Sequence, residues 1–515
     1  MVAKTFGGAV HGVDARTIMV EVNVGQGTKF FMSGLPDSAV KESQHRVESA
    51  LKSCGYFMPR NKTVVNLAPA DLRKEGSAYD LPIALCVLQA SGQLSGARLD
   101  DYLIMGELTL DGTLRPIRGV LPIAIQARCQ GVKAFLLPID NAREAGLVEG
   151  LDVIGLTNLS EATAYLEKRI SLPPVKRNAT SAFGKQDNTY DSDFKDVQGQ
   201  ENIKRALEIA AAGGHNLIMI GPPGAGKTML AKRLPTILPP LTMQEALETT
   251  KIHSVAGKLS KEATLLSSRP FRAPHHTISD IALVGGGSHP QPGEISLANN
   301  GVLFLDELPE FRRSVLDVMR QPLEERRVAI SRARSTVEYP ANFMLVASMN
   351  PCPCGFYNHP DKKCVCGPGV VHRYINRVSG PLLDRIDMHV EVVPVGFDEM
   401  TSARTPESSD SIRNRVINAR EIQTKRFSAI DGIYCNAMMS PGMAKKTCRI
   451  DAAGRQLLKN AMQSLGLSAR AYDKILRLSL TIADLAGETT IHDAHIAEAI
   501  TYRSLDRSAW SAQHY

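Results

Sequence analysis

The segment "GPPGAGKT", Gly221 to Thr228, constrains this chain more than any other short stretch. It follows the apolar run "NLIMIG" and opens a helical pattern, the strand–loop–helix setting that G-x-x-x-x-G-K-[ST] needs. Glycines at such a turn let backbone N–H groups and the helix N-terminus close around phosphate oxygens. Gly221, Pro222, Pro223, Gly224, Ala225 and Gly226 are read as the cradle. Lys227 is expected to reach the β- and γ-phosphates of ATP, and the Thr228 hydroxyl to ligate Mg²⁺. The fold class that follows is α/β.

Later strands add polar ends to the same plan. "GVLFLDE" places Asp306 and Glu307 at the end of an apolar run, where one carboxylate holds Mg²⁺ and the next polarises water. "ANFMLVASMN" ends on Asn350, at the carboxyl edge of a sheet that faces nucleotide. "GPLLDRIDMHVEV" offers Arg385, either a salt bridge with Asp384 or Asp387 or a finger completing a neighbour's ATP site. Arg470, in "SARAYDKIL", opens a late helix from which an arginine can approach a γ-phosphate.

A length of 515 residues suggests two to four domains. Hydrophobic residues at 43% and charged ones at 22% are ordinary for a soluble globular protein. There is no apolar signal region at the N-terminus and no run long enough to span a bilayer, so a cytoplasmic protein without membrane contact is expected. Residues 1–168 alternate strand-like runs ("TIMVEVNV", "KTVVNLAP", "AFLLPI") with helical ones ("DLPIALCVLQASGQL"), and the polar stretch 169–196 reads as a linker. Residues 197–395 carry the phosphate motifs, and 396–515 are mostly helical. A net charge of +7 permits nucleic-acid binding without requiring it. The basic run "SIRNRVINAREIQTKRF", with Arg413, Arg415, Arg420, Lys425 and Arg426 around an apolar stripe, reads either as a DNA contact or as a solvated face.

Four of the nine cysteines, Cys352, Cys354, Cys364 and Cys366, form two Cys-x-Cys pairs directly after Asn350. Four thiolates can close a tetrahedral Zn²⁺ site, with His359 and His372 as spare ligands and no open position for substrate. A thiol-only loop and a redox device are the alternatives.

The run "RPFRAPHHTISDIALVGGGSHPQPGEISLANNGVLFLDELPEF", with "MNPCPCG", "SGPLLDRID" and "SARAYDKILRLSLTIADLAG", resembles the magnesium-chelatase-like AAA+ proteins, and most of all the competence-protein ComM (YifB) family. The first block agrees, in "FMSGLPDSAVKESQHRVESALKSCGY" and "GELTLDGTLRPIRGVLPIA". The resemblance implies a hexameric ATPase acting as a DNA helicase that drives branch migration in recombination and natural transformation, on single-stranded and branched DNA threaded through a central pore. It implies that Asn350 is the sensor-1 residue, Arg385 the trans finger with Arg377 as its alternative, and Arg470 the sensor-2 arginine. It also implies that "GGGSHPQPGEIS", Gly285 to Ser296, is a pore-lining insertion whose only cationic candidate is His289. Arg272, His275 and His276 lie close by in sequence, and the histidine pair is read as structural.

The first block further resembles the proteolytic domain of Lon. The nucleophile position falls on Ala78, between Ser77 and Tyr79, with Asp80 in place of a glycine, and the lysine position falls on Leu121. Without an amine base no serine–lysine pair is activated. The implied architecture is a Lon-like α/β domain lacking its dyad, an AAA+ core with a helix-2 insertion and a four-cysteine loop, and a helical lid. The rival functions are a metal-chelatase motor, a protein-remodelling ATPase and an ATP-dependent protease.

Overall fold

The computed structural model describes residues 2–176, 190, 192–259, 265–287, 290–332, 335–357, 359, 361–396, 406–430 and 432–503. The N-terminal region forms one seven-stranded sheet, ordered Phe30–Ser33, Lys62–Ala68, Asp14–Gly25, Val2–His11, Tyr102–Ile104, Ala134–Pro138 and Val153–Leu156. Its long strands alternate faces with the two-residue period of a pleat: Ile18, Val20 and Val22 are fully buried, and Met19 and Glu21 are not. The helix Asp80–Ala90 is apolar nearly all round, and only Gln89 of its residues is not buried.

The second sheet is wholly parallel and runs Phe271–Arg272, Val302–Leu305, Met344–Met349, Leu217–Ile220, Met388–Glu391. Its three central strands are buried along their full length, the continuous apolar pattern of a sheet covered on both faces. Leu217 stands opposite Val346 and Met388, so these three strands end together, and Leu305, opposite Ala347, ends its strand two residues short of them. Gly221, Asp306 and Asn350 therefore leave from one edge, and Asn216, Gly301 and Asp387 enter at the other.

Between the helix Lys227–Ile237 and Val302 the chain inserts the helix Met243–Val255, the edge strand Phe271–Arg272 and a small hairpin, Gly285–Gly286 against Gln291–Pro292. Ser288 and His289 lie outside the described residues. A second hairpin, Arg327–Arg332 against Ser335–Pro340, buries Val328, Ile330, Val337 and Tyr339. Sequence reasoning missed it, although its alternating apolar residues are the signal of a half-buried hairpin.

The two sheets are joined through the helix Met243–Val255. Leu241, Ala246 and Leu265 belong to the N-terminal apolar core, Ser254 donates to Glu144 Oε1 at 2.5 Å and Lys251 pairs with Asp14 at 3.2 Å.

Five C-terminal helices, from Ser409–Phe427 to Asp493–Thr501, form a bundle that packs onto the helix Glu201–Gly213. Lys474 and the buried Arg503 both donate to the carbonyl of Ile386, at 2.8 and 2.7 Å, and fasten this bundle to the sheet. The basic helix is a solvated face only in part: Lys425 is exposed and Arg413 pairs within the helix, while three other arginines reach tertiary partners. Arg413 pairs with Asp410, Arg415 with Glu208 and Glu407, Arg420 donates to the carbonyl of Ala211, and Arg426 forms a two-pronged pair with Asp484 at 2.5 and 2.9 Å.

Asp484 is fully buried, and removing its guanidinium partner leaves it the neutral amide of Asn436, at 2.8 Å, in place of a paired cation. Arg426→Ala is expected to cost roughly 3 kcal/mol in urea denaturation. Pairing Arg426→Ala with Asp484→Asn should recover part of that loss.

Candidate nucleotide site

Gly224 and Gly226 adopt φ of +82° and +83°, left-handed values that turn the loop's amides inward, and a Cβ at Gly221 would lie 2.3 Å from the carbonyl of Val392. The loop therefore needs glycine for both conformation and space. Lys227 starts the helix behind it, and its ammonium donates to the carbonyls of Gly221 and Pro222 at 2.6 and 2.9 Å and to Asn350 Oδ1 at 3.1 Å. Burial lowers its pKa, opposed by the charges of Asp306 and Glu307.

Thr228 Oγ1 donates to Asp306 Oδ2 at 2.7 Å. Two hard oxygens so close suit adjacent positions of an octahedral Mg²⁺, whose neighbouring ligands stand about 2.9 Å apart. Ser348, which sequence reasoning overlooked, donates to the other oxygen of Asp306 and fixes that carboxylate's orientation. Glu307 follows in the left-handed region at φ +54°, unusual for a residue with a side chain and a common mark of functional strain. Its carboxylate is exposed and lies 3.6 Å from His276 Nδ1. His276 is held by the ring of His275, at 4.1 Å between centroids, and by the edge of Phe311. The histidine pair thus stands beside Glu307 at the carboxyl edge of the sheet.

Arg385 and Arg470 are not at this edge. Both line a cavity of ≈ 450 Å³ at the opposite edge, together with Asn216, Asp387 and Glu324. The sequence offered Asp384 or Asp387 as the partner of Arg385, but the structure gives Glu324, at 2.7 Å. Asp384 instead pairs with Arg470 at 3.2 Å, and Asp387 pairs with Lys474. A four-residue strand separates the edges by about 13 Å. Arg377 behaves differently: it binds both oxygens of Glu310, three residues after Glu307, at 3.1 Å.

The sulfur atoms of Cys352, Cys354, Cys364 and Cys366 all lie within 4.8 Å of one another, with three separations of 3.3, 3.5 and 3.6 Å. A tetrahedral ZnS₄ centre with bonds of about 2.3 Å has S–S edges of about 3.8 Å, so the cluster is of the right size. Burial opposes ionisation of Cys354, yet N–H donors from Phe356 and Val365 and the adjoining thiols bring it down to about 6.

In the N-terminal domain Leu121 is fully buried and Ser77 donates to Glu107. Lys74 directs its ammonium to the carbonyls of Pro69 and Leu72, and the buried Asp80 is held by Arg46 at 2.6 and 2.9 Å. These contacts assemble no serine–lysine dyad around Ser77.

A five-stranded parallel sheet with a phosphate loop and polar strand ends on one edge defines a P-loop ATPase core of the AAA+ type. Three magnesium-chelatase family models match: subunit ChlI of Mg-chelatase over residues 20–141, magnesium chelatase subunit ChlI over 193–400, and its C-terminal region over 406–503. The chain is 45% identical over 514 residues to competence protein ComM of Haemophilus influenzae, covering 98% of each chain. It is 44% identical over 502 residues to the uncharacterized protein YifB of Escherichia coli, covering 97% of this chain and 96% of that one. A magnesium-chelatase 38 kDa subunit of Rhodobacter capsulatus is 27% identical over 283 residues, 48% of this chain and 76% of its own. The chain belongs to the ComM/YifB family of magnesium-chelatase-like AAA+ proteins, which implies an ATPase.

Glu307→Gln is expected to retain ATP binding and lower turnover at least about a hundredfold, the scale of a lost general base. His276→Ala should lower kcat about tenfold with nucleotide affinity unchanged, and His276→Asn should recover part of it. Single-turnover ATPase assays beside fluorescent-nucleotide titrations measure both.

Proposed function

We propose that the protein is a ring-forming ATPase, a homo-hexamer, that translocates on DNA and drives branch migration in homologous recombination and natural transformation. The observation that carries the ring is the placement of Arg385 and Arg470 about one strand length from the chain's own P-loop. Neither arginine serves that site, but both suit a neighbouring subunit's nucleotide, so each ATP site draws on two chains. In this reading Lys227 and the loop amides hold the β- and γ-phosphates, and Asn350 orients the attacking water, which Glu307 polarises. Mg²⁺, held through Thr228 and Asp306, would neutralise phosphate charge. Arg385 and Arg470 of the adjacent subunit counter charge developing on the transferred group. Their carboxylate partners, Glu324 and Asp384, keep the arginines folded against the edge until that stronger anion competes.

The DNA part of the reading rests on the family and on the two hairpins. Gly285–Pro292 carries little charge, whereas "SRARST", residues 331–336 around the turn of the second hairpin, includes Arg332 at the end of its first strand and Arg334, which lies outside the described residues. We assign the grip on DNA phosphates to the second hairpin and the pore-lining role to the first. The N-terminal domain is read as a Lon-like fold without its chemistry, and the C-terminal helices as the lid. The four cysteines are proposed to hold one structural Zn²⁺ beside the strand that ends at Asn350.

Protein purified without added metal should contain close to one zinc per chain by elemental analysis. Cys364→Ser should release it and lower Tm, whereas a metal-free protein of full activity refutes the assignment.

A movable Holliday-type junction tests the motor. With ATP the protein should convert junctions to products, and binding should weaken steeply as salt rises, because bound cations are released from DNA. Deleting Ser288 to Gln291 should leave ATP hydrolysis and stop junction movement. DNA that neither binds nor alters the ATPase rate would favour the protein-remodelling alternative, and Mg²⁺ insertion into a porphyrin the chelatase one.

A further inference from the structure

At the edge of the core sheet away from the P-loop, a crevice of ≈ 70 Å³ is enclosed by guanidinium groups from three separate segments. Arg269 precedes the edge strand Phe271–Arg272, Arg326 ends the helix Arg320–Glu325 in the left-handed region, and Arg420 comes from the helix Ser409–Phe427. Among the described residues lining the crevice, Glu245 is the one carboxylate. It is already engaged by Arg269 at 3.3 Å and by the backbone N–H of Thr242 at 2.8 Å.

The remaining donors are unevenly served. All five N–H donors of Arg269 are taken, by both oxygens of Glu245 and by the carbonyls of Pro239, Pro240 and Asn300, whereas Arg326 donates to Asn342 Oδ1 at 2.5 Å. Arg420 donates one Nη to the carbonyl of Ala211, while its Nε is buried with no partner. Burial above all, with the charge of Arg420 adding to it, pushes the guanidinium groups of Arg269 and Arg326 below their ordinary range. The other titratable groups near Arg326 are the Cys435 thiol, which lines the crevice, Asp387, already bound to Lys474, and Arg477, a further cation. Gly214 leaves the room: a Cβ there would meet Cys435 Sγ at 2.8 Å and Arg420 Nη2 at 3.7 Å.

We propose that this crevice binds a small tetrahedral oxyanion of the phosphate class, clasped by Arg326 and Arg420, with the Arg269–Glu245 pair forming the wall beside them. Its ≈ 70 Å³ exceeds the roughly 10–15 Å³ that a single water needs on the same measure, and so leaves room for a phosphate group. Buried cations call for a counter-anion, and guanidinium forks match phosphate oxygens in number and direction. The ligand would bridge the core, through Arg326, to the C-terminal helices, through Arg420 and the segment Tyr434–Met438. An anion there would hold the bundle against the sheet at the edge that carries Arg385 and Arg470. The proposal does not depend on the DNA reading.

The test uses the full chain carrying Lys227→Ala, which weakens phosphate binding at the P-loop. Inorganic phosphate, titrated at constant pH and ionic strength against chloride, should bind once per chain by calorimetry and raise Tm by a few degrees at saturation. Arg420→Gln and Arg326→Gln, each in that background and checked for an unchanged circular dichroism spectrum, should each weaken binding at least tenfold. Glycerol phosphate that competes assigns the site to phosphate monoesters, and failure to compete assigns it to free phosphate. A Lys227→Ala protein that binds no phosphate, or a folded Arg420→Gln protein that binds it as tightly, overturns the proposal.

Discussion

The pairing of Leu217–Ile220 between Met344–Met349 and Met388–Glu391 is the contact on which the remainder of the ATPase depends. Because all three strands are parallel and in step, every strand end is sorted to one of two edges. The carboxyl edge receives the phosphate loop, Asp306, Glu307 and Asn350, and the amino edge receives Arg385 and the helices that present Arg470. Full burial of the two inner strands makes their register hard to slip, since each backbone group pairs within the sheet. The same burial that stabilises the sheet therefore divides the polar strand ends between two surfaces.

Each surface holds its charges in a different way. At the carboxyl edge Thr228, Ser348 and the Glu307 amide all bind Asp306, which fixes it without neutralising it. Glu307 has no such set of donors. Its backbone strain aims it outward, where the His276 imidazole lies nearby. At the amino edge the arginines are paired with carboxylates on exposed side chains, contacts worth little in water and readily exchanged for a phosphate.

Local chemistry was what the sequence made legible. "GPPGAGKT" and "GVLFLDE" carry their geometry within a few residues, and the structure brings Lys227, Thr228, Asp306 and Asn350 within hydrogen-bonding reach. The spacing of Cys352, Cys354, Cys364 and Cys366 likewise encodes their convergence. Contacts made over long sequence separations were not visible. His276 meets Glu307 across the hairpin insertion, Arg385 reaches back to Glu324, and Arg426 finds Asp484 on another helix. No local pattern selects among the several carboxylates such an arginine can reach. The basic helix was legible only in part for the same reason: Lys425 is exposed as a solvated face requires, but Arg415, Arg420 and Arg426 are held by tertiary partners.

If one ATP site is built from two chains, two inactive proteins should repair each other. The decisive experiment mixes Glu307→Gln subunits with Arg385→Ala subunits and reads ATP turnover across mixing ratios. The Arg385→Ala chain keeps an intact Glu307 and the Glu307→Gln chain keeps an intact Arg385, so a junction between them contains one complete site. Turnover should reappear in the mixture, be greatest near equal proportions and be absent from either protein alone. A mixture as silent as its components, or full turnover by Arg385→Ala alone, would contradict the shared site and turn attention to Arg377.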